Sequence, residues 1–148
     1  MDIIMREALE SDLPGVLSLY AQLGQDDGSV LPLDMATSIY WKMKSYPDYK
    51  VHVALAEGRV IGTFALLVMD NLGHFGTPSA ILEDVVVAED LRGQGIGKLM
   101  MDYANTLCRQ KGCYKMAFSS NINREVAHHF YESLGYRKHG YSFYVRYE

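Results

Sequence analysis

The chain has 148 residues, enough for one domain with a single sizeable core and too few for two. Its formal charge of −4, with no clustering of Lys and Arg, argues against a nucleic-acid surface and slightly favours cationic partners. The N-terminus is acidic and no apolar run approaches membrane-spanning length, so the expectation is a soluble cytoplasmic protein that engages neither nucleic acid nor membrane.

Residues 3 to 8 read as a first strand, and Ser11 or Asp12 can cap a helix that carries Val16, Leu17, Leu19, Tyr20 and Leu23 and ends at Gly24. The acidic loop Gln25-Asp26-Asp27-Gly28-Ser29 leads to a second helix over 33–44 with Met35, Ile39, Trp41 and Met43, stopped before Pro47. Two helices separated by such a loop can shape a binding wall. Tyr40, Trp41, Tyr46 and Tyr49 are aromatic candidates for it, with core packing as the ordinary alternative. Val51 to Ala56 and Val60 to Met69 are β-branched, apolar runs joined by Glu57-Gly58-Arg59, a hairpin signal.

After a loop over 70–78, residues 79–88 form a strand. From Ile96 the apolar positions fall at 96, 99, 100, 103, 104, 107 and 108, the recurrence of one buried helical stripe, which Gly112 ends. A fifth strand over 114–119 precedes a helix over 124–134 that buries Val126, Ala127, Phe130 and Leu134. Residues 136–138 and 141–146 supply final strands. Crossover helices after 88 and after 119 require at least one βαβ unit, so the sheet is mixed. Cys108 and Cys113 lie too close for a useful disulfide and lack metal-ligand spacing, so they read as buried thiols and no metal is expected.

The chemistry concentrates in Val85-Val86-Val87-Ala88-Glu89-Asp90-Leu91-Arg92-Gly93-Gln94-Gly95-Ile96-Gly97-Lys98, a β-branched run broken by a glycine turn that opens into a helix. Glycines let a ligand approach the main chain, so several N–H groups can converge on an anion at the positive helix end. Arg92 and Lys98 add countercharge. The spacing is not the dinucleotide fingerprint Gly-x-Gly-x-x-Gly, and Lys98 is followed by Leu99 where a P-loop needs Ser or Thr.

What remains, Arg92-x-x-Gly95-x-Gly97 between strand and helix, resembles the acetyl-CoA-binding motif of the GNAT N-acetyltransferase superfamily. A second segment, Phe130-Tyr131-Glu132-Ser133-Leu134-Gly135-Tyr136, is similar to that family's late Tyr-x-x-x-Gly-aromatic signature. The resemblance implies a single α/β domain over 1–148, with a mixed, mostly antiparallel sheet, a splayed V-shaped opening and about four flanking helices. It also implies acetyl-CoA as co-substrate, held by the main chain of Val85, Val86 and Val87 and by Arg92, Gly93, Gln94, Gly95, Ile96, Gly97 and Lys98.

Acyl transfer to an amine needs a base, because an alkyl ammonium has a pKa near ~10. Glu83 and Asp84 precede the valine run and, by period-two alternation, point to opposite faces. Glu83-Asp84-Val85-Val86-Val87 is similar to the segment before the cradle in glucosamine-phosphate and aminoalkylphosphonate members, where a carboxylate at or near this point helps deprotonate the amine. Either can therefore serve, Glu83 slightly ahead; ordinary edge or salt-bridged carboxylates are the alternative. The resemblance makes Tyr131 the acid for the departing thiolate, against the plain reading of a core tyrosine. Many family members bind pantetheine with an asparagine where Arg124 stands; the resemblance therefore assigns that contact to Asn121 or Asn123 in the preceding loop, with Asn123 and Arg124 as the cofactor-binding pair.

His128-His129 has no third ligand nearby. Neither cysteine suits a covalent acyl carrier, which leaves direct transfer in a ternary complex. A small amine is the favoured acceptor. A non-catalytic acyl-CoA sensor and a peptide acetyltransferase are the rivals, and the aromatic run Tyr141-Ser142-Phe143-Tyr144 suggests pairing across a homodimer.

Overall fold

The computed structural model describes residues 1–147. They fall into two compact units, Met1–Ala117 and Phe118–Glu148. The first unit is built on a five-stranded sheet in sequence order: β1 (Ile3–Glu7), β2 (Tyr49–Ala56), β3 (Arg59–Met69), β4 (Ser79–Val87) and β5 (Met116–Ala117). Neighbours are antiparallel as far as β4, and β5 is parallel to β4. The parallel step is made by α3 (Ile96–Gln110), as a βαβ crossover requires. Helices α1 (Leu13–Leu23) and α2 (Leu33–Lys44) lie between β1 and β2 in the chain. With α4 (Glu125–Ser133) in the second unit, the described residues have the mixed α/β sheet and the four α-helices expected of them.

The sheet is buried on both faces. Val16 of α1 packs with Ala8, Val53 and Leu55, while Leu19 packs with Val86 and Ala88. On the other face α3 buries Ile96, Met100, Met101, Ala104 and Cys108. Each long aliphatic side chain so buried contributes about 1.5–3 kcal/mol. Two glycines set how close the helices come. A Cβ on Gly15 of α1 would stand 2.8 Å from Val60 Cβ, and one on Gly62 of β3 would stand 2.5 Å from Met100 Sδ.

Some expected details change. The α3 stripe is rotated: Leu99 is 47% exposed and Met101 is buried in its place, because the sheet curves under the helix and takes the 100, 101, 104, 108 edge. Asp12 does not cap α1 through its side chain; the carboxylate turns back to accept Arg6 Nη1 and Nη2 at 2.6 and 3.1 Å and the Leu9 N–H at 2.7 Å. Burying that carboxylate is tolerable only because it is fully paired. The fifth strand shrinks from 114–119 to Met116–Ala117.

The second unit holds α4 and an extended tail. Neither 136–138 nor 141–146 forms a strand among the described residues. Alternating aromatics make a strand only when a ladder partner takes their N–H and C=O groups, and here Tyr141, Phe143 and Tyr144 stand exposed. Val126, expected to be buried by α4, is 86% exposed, one position off the apolar side that Ala127, Phe130 and Leu134 share.

Candidate functional site

The glycine turn after β4 is built as a cradle. Gly93 and Gly95 hold φ of +78° and +83°, the left-handed region that strains any L side chain. A Cβ at either would meet nothing within 4 Å, so the turn faces open space. Gly95 is the N-cap of α3 and no side chain bonds its end. Leu99 donates the first ladder bond, to the Gly95 carbonyl at 3.2 Å. The N–H groups of Ile96, Gly97 and Lys98 therefore precede the ladder and project from the positive end of a 15-residue helix.

Arg92 Nε donates to the Val87 carbonyl at 3.3 Å, fixing the guanidinium beside the end of β4. Lys98 pairs with Asp102 at 2.7 Å. Arg59 holds the turn from outside through both oxygens of Asp90, at 3.0 and 2.9 Å. A ligand with phosphate groups fits this donor set.

Upstream, β4 is irregular where the chemistry was expected. Its register with β3 pairs Val86 with Thr63 and Glu83 with Ala65, so three steps on β4 match two on β3. The extra residue makes a β-bulge, and Asp84 takes up the distortion at φ +53°. Aspartate is among the residues that tolerate this region best. The simple alternation expected of Glu83 and Asp84 is broken by the inserted residue. β5 covers β4 only at Ala80 and Ile81, so from Leu82 to Val87 the β5-side edge has no strand partner among the described residues.

Asp84 opens into a cavity of about 390 Å³, a size suited to a small molecule. Its walls come from Leu17 and Tyr20 of α1, the segment Ser29 to Pro32, and Met35 of α2, with Asp26 as the second carboxylate. Burial raises the Asp84 pKa above the usual carboxylate range. Burial first, and then the Asp84 charge, pushes the Tyr20 phenol up and keeps it protonated. Glu83 is exposed and does not line the cavity; its pKa is raised by burial and then by Asp84.

None of the four aromatic candidates lines the cavity. Tyr40 is core, donating its hydroxyl to the Ala8 carbonyl at 2.8 Å; Trp41 donates to Glu10 Oε1 at 2.6 Å; Tyr46 and Tyr49 stack on each other. Tyr20, Leu17 and Met35 make the wall instead. The signal for them was present in the acidic loop between two helices, which places the facing sides of α1 and α2 around one space.

In the second unit Tyr131 lies among rings, with centroids 4.6 Å from Phe118, 5.4 Å from Phe130 and 6.2 Å from Tyr136. Burial raises its pKa and the Arg124 charge partly offsets this, so the phenol keeps its proton at neutral pH. Arg124 is the N-cap of α4. Asn121 organises the turn before it: Oδ1 accepts the Asn123 N–H at 2.9 Å and the carbonyl accepts the Arg124 N–H at 3.0 Å, with His128 Nε2 at 2.9 Å from the same carbonyl. His128 is thereby a loop brace, and no group of three or more metal-ligating side chains occurs among the described residues.

The family described as "Acetyltransferase (GNAT) family" matches residues 16–136. Over 140 residues the chain is 32% identical to the glucosamine 6-phosphate N-acetyltransferase of Trypanosoma brucei brucei, covering 94% of this chain and 92% of that protein. The aminoalkylphosphonate N-acetyltransferase of Salmonella typhimurium is 33% identical over 97 residues, 66% of this chain and 62% of that one. A solved structure from Agrobacterium tumefaciens superposes with a TM-score of 0.91 at 31% identity, covering 97% and 99% of the two chains. The glucosamine-6-phosphate N-acetyltransferase structure from Arabidopsis thaliana shares the fold with a TM-score of 0.86 at 22% identity and full coverage of both chains.

Proposed function

The chain belongs to the GNAT acetyltransferase family, and from that premise we propose that it moves an acetyl group from acetyl-CoA directly to the primary amine of a small molecule, in a ternary complex, as one catalytic domain. The observation that carries this reading is the bulge at Asp84. It turns a carboxylate with a raised pKa into a cavity of small-molecule size, just upstream of an anion cradle.

Each group has one task. Arg92 and the main chain of Gly93, Gln94, Gly95, Ile96, Gly97 and Lys98 bind the pyrophosphate, with Asn123 and Arg124 as further cofactor contacts. The open β4 edge at Val85, Val86 and Val87 offers backbone groups to the pantetheine and thioester. Asp84 takes a proton from the acceptor ammonium, and the freed nitrogen attacks the acetyl carbonyl carbon. As the C–S bond breaks, Tyr131 gives its phenolic proton to the departing thiolate. The adduct nitrogen sheds its second proton to solvent as the amide forms, Asp84 also returns its proton to solvent, and Tyr131 is reprotonated from solvent; the products are the amide, the free thiol and one net proton. Glu83 adds negative potential beside Asp84.

The test is acetyl-CoA-dependent thiol release by the purified protein over a panel of small amines and peptides, with acetyl-CoA affinity measured in parallel. Release stimulated by a small amine is expected. Tight acetyl-CoA binding without release on any amine overturns catalysis, and release with peptides alone overturns the small-molecule acceptor.

A further inference from the structure

We propose that the acceptor is a primary amine with an apolar alkyl or arylalkyl body and no phosphate or phosphonate group, in contrast to the glucosamine 6-phosphate and aminoalkylphosphonate that name two of its relatives. The inference rests on the acetyltransferase reading above and concerns only what fills the cavity at Asp84.

Three observations carry it. The first is the charge of the wall. Among the described residues lining the cavity, Asp26 and Asp84 are the charged ones, and no Lys, Arg or His lines it. A phosphate or phosphonate is recognised by Arg or Lys, or by convergent N–H groups. Placed here, such a dianion would meet two carboxylates and lose its hydration with no cationic partner among the described lining residues.

The second is the N-terminus of α2 behind Pro32, a helix end that beside the Ser29 hydroxyl could otherwise receive an anion. Its first turn already contains Asp34, whose own carboxylate complements the positive helix end. No side chain caps that end, so it offers a dipole that the chain has met with its own negative charge.

The third is the remaining lining. Leu17, Tyr20, Val30, Leu31 and Met35 supply a surface that gains from covering an apolar body and gives a sugar few hydrogen bonds. Asp26 is exposed at the rim and Asp84 lies further in, so an ammonium meets favourable potential on entry and the base at the end.

The experiment compares kcat/KM for phenethylamine and 1-aminohexane with those for glucosamine 6-phosphate, 2-aminoethylphosphonate and unphosphorylated glucosamine, using the full chain and saturating acetyl-CoA. The apolar amines are expected to exceed both phosphorylated compounds by at least about tenfold. Asp26→Lys is expected to narrow that ratio by at least about threefold, through the sign of one charge at the rim.

A preference for either phosphorylated amine, or for glucosamine over the apolar amines, overturns the inference and leaves the acetyltransferase reading standing. A ratio unmoved by Asp26→Lys overturns the argument from charge. Absence of turnover on every amine, with acetyl-CoA bound, overturns the acetyltransferase reading itself.

Discussion

Phe64 on β3 stands opposite two residues of β4, Asp84 and Val85, because the register runs from Thr63–Val86 to Ala65–Glu83. A regular ladder would keep each β4 carboxylate in strict alternation. The inserted residue frees Asp84 from that alternation and sends its side chain to the cavity that Tyr20 and Met35 share.

Asp84→Asn is therefore expected to lower kcat by about 10²- to 10⁴-fold while leaving acetyl-CoA affinity unchanged. The sign of the pH dependence follows from the raised pKa. In its proposed role as base Asp84 works only when ionised, so kcat/KM should fall as pH drops through the folded pKa. The acid limb should lie above the ordinary carboxylate value of about 3.9. The same raised pKa means the ionised form is the less stable one in the fold, so the asparagine variant should melt no lower than the parent at neutral pH. Thiol-release kinetics from pH 4 to 9 and a thermal melt check both statements.

Tyr131→Phe removes the proposed proton donor and keeps the ring in its aromatic cluster. We expect kcat to fall by about 10²-fold, with little change in the acetyl-CoA Kd, and the alkaline limb of the kcat profile to disappear with the phenol. A variant with an unchanged alkaline limb would take the acid role away from Tyr131.

Gly95→Val puts a β-branched residue at φ +83°. Strain of roughly 1–2 kcal/mol in the left-handed region should disorganise the helix end proposed to receive the pyrophosphate. Acetyl-CoA binding by calorimetry should weaken about tenfold or more, with the acceptor KM almost unmoved.

His52 reports on the sheet. Its ring stacks on Phe64 with centroids 5.0 Å apart and meets Tyr103 edge-on at 5.7 Å, and Nδ1 has no partner among the described residues. Burial lowers its pKa from 6.5 to about 4. The unfolded chain then takes up a proton that the folded chain refuses, so stability present above pH 6.5 is lost as pH falls towards 4. The gap is worth on the order of 3 kcal/mol. Urea unfolding at pH 7 and pH 4.5 should expose this slope, and His52→Phe should flatten it.

Gly15→Ala raises intrinsic helix propensity by about 1 kcal/mol and still should destabilise the protein. The new Cβ would stand 2.8 Å from Val60 Cβ, which is close to the backbone and cannot swing away. Pushing α1 off β3 should cost about 1–3 kcal/mol and, because α1 carries Leu17 and Tyr20, also raise the acceptor KM. Adding Val60→Ala should recover part of both losses in a double-mutant cycle.

What the sequence made legible was local. The cradle and α3 could be located because a left-handed turn needs glycine and a helix repeats its apolar positions within a few residues. The β2–β3 hairpin could be located because both strands and their turn are contiguous. The bulge at Asp84 was hidden because it is a property of two strands, and nothing in Glu83-Asp84-Val85 alone says that β3 has one residue fewer. The same holds for 141–146, whose alternating aromatics were read as a strand although strand formation depends on a partner elsewhere. The rotation of the α3 stripe from Leu99 to Met101 depends on sheet curvature. Likewise, Tyr20 became a cavity residue only when α2 was set across from it.

The open space around Gly93 and Gly95 has a consequence for handedness. Neither position lacks room; each requires a backbone angle that belongs naturally to a mirror-image residue. The cradle thus selects against chirality rather than against bulk, and a semisynthetic chain carrying D-alanine at Gly95 would keep the turn that L-alanine strains. Among encoded residues, asparagine or aspartate, which enter the left-handed region at least cost, should be better replacements than the smaller alanine.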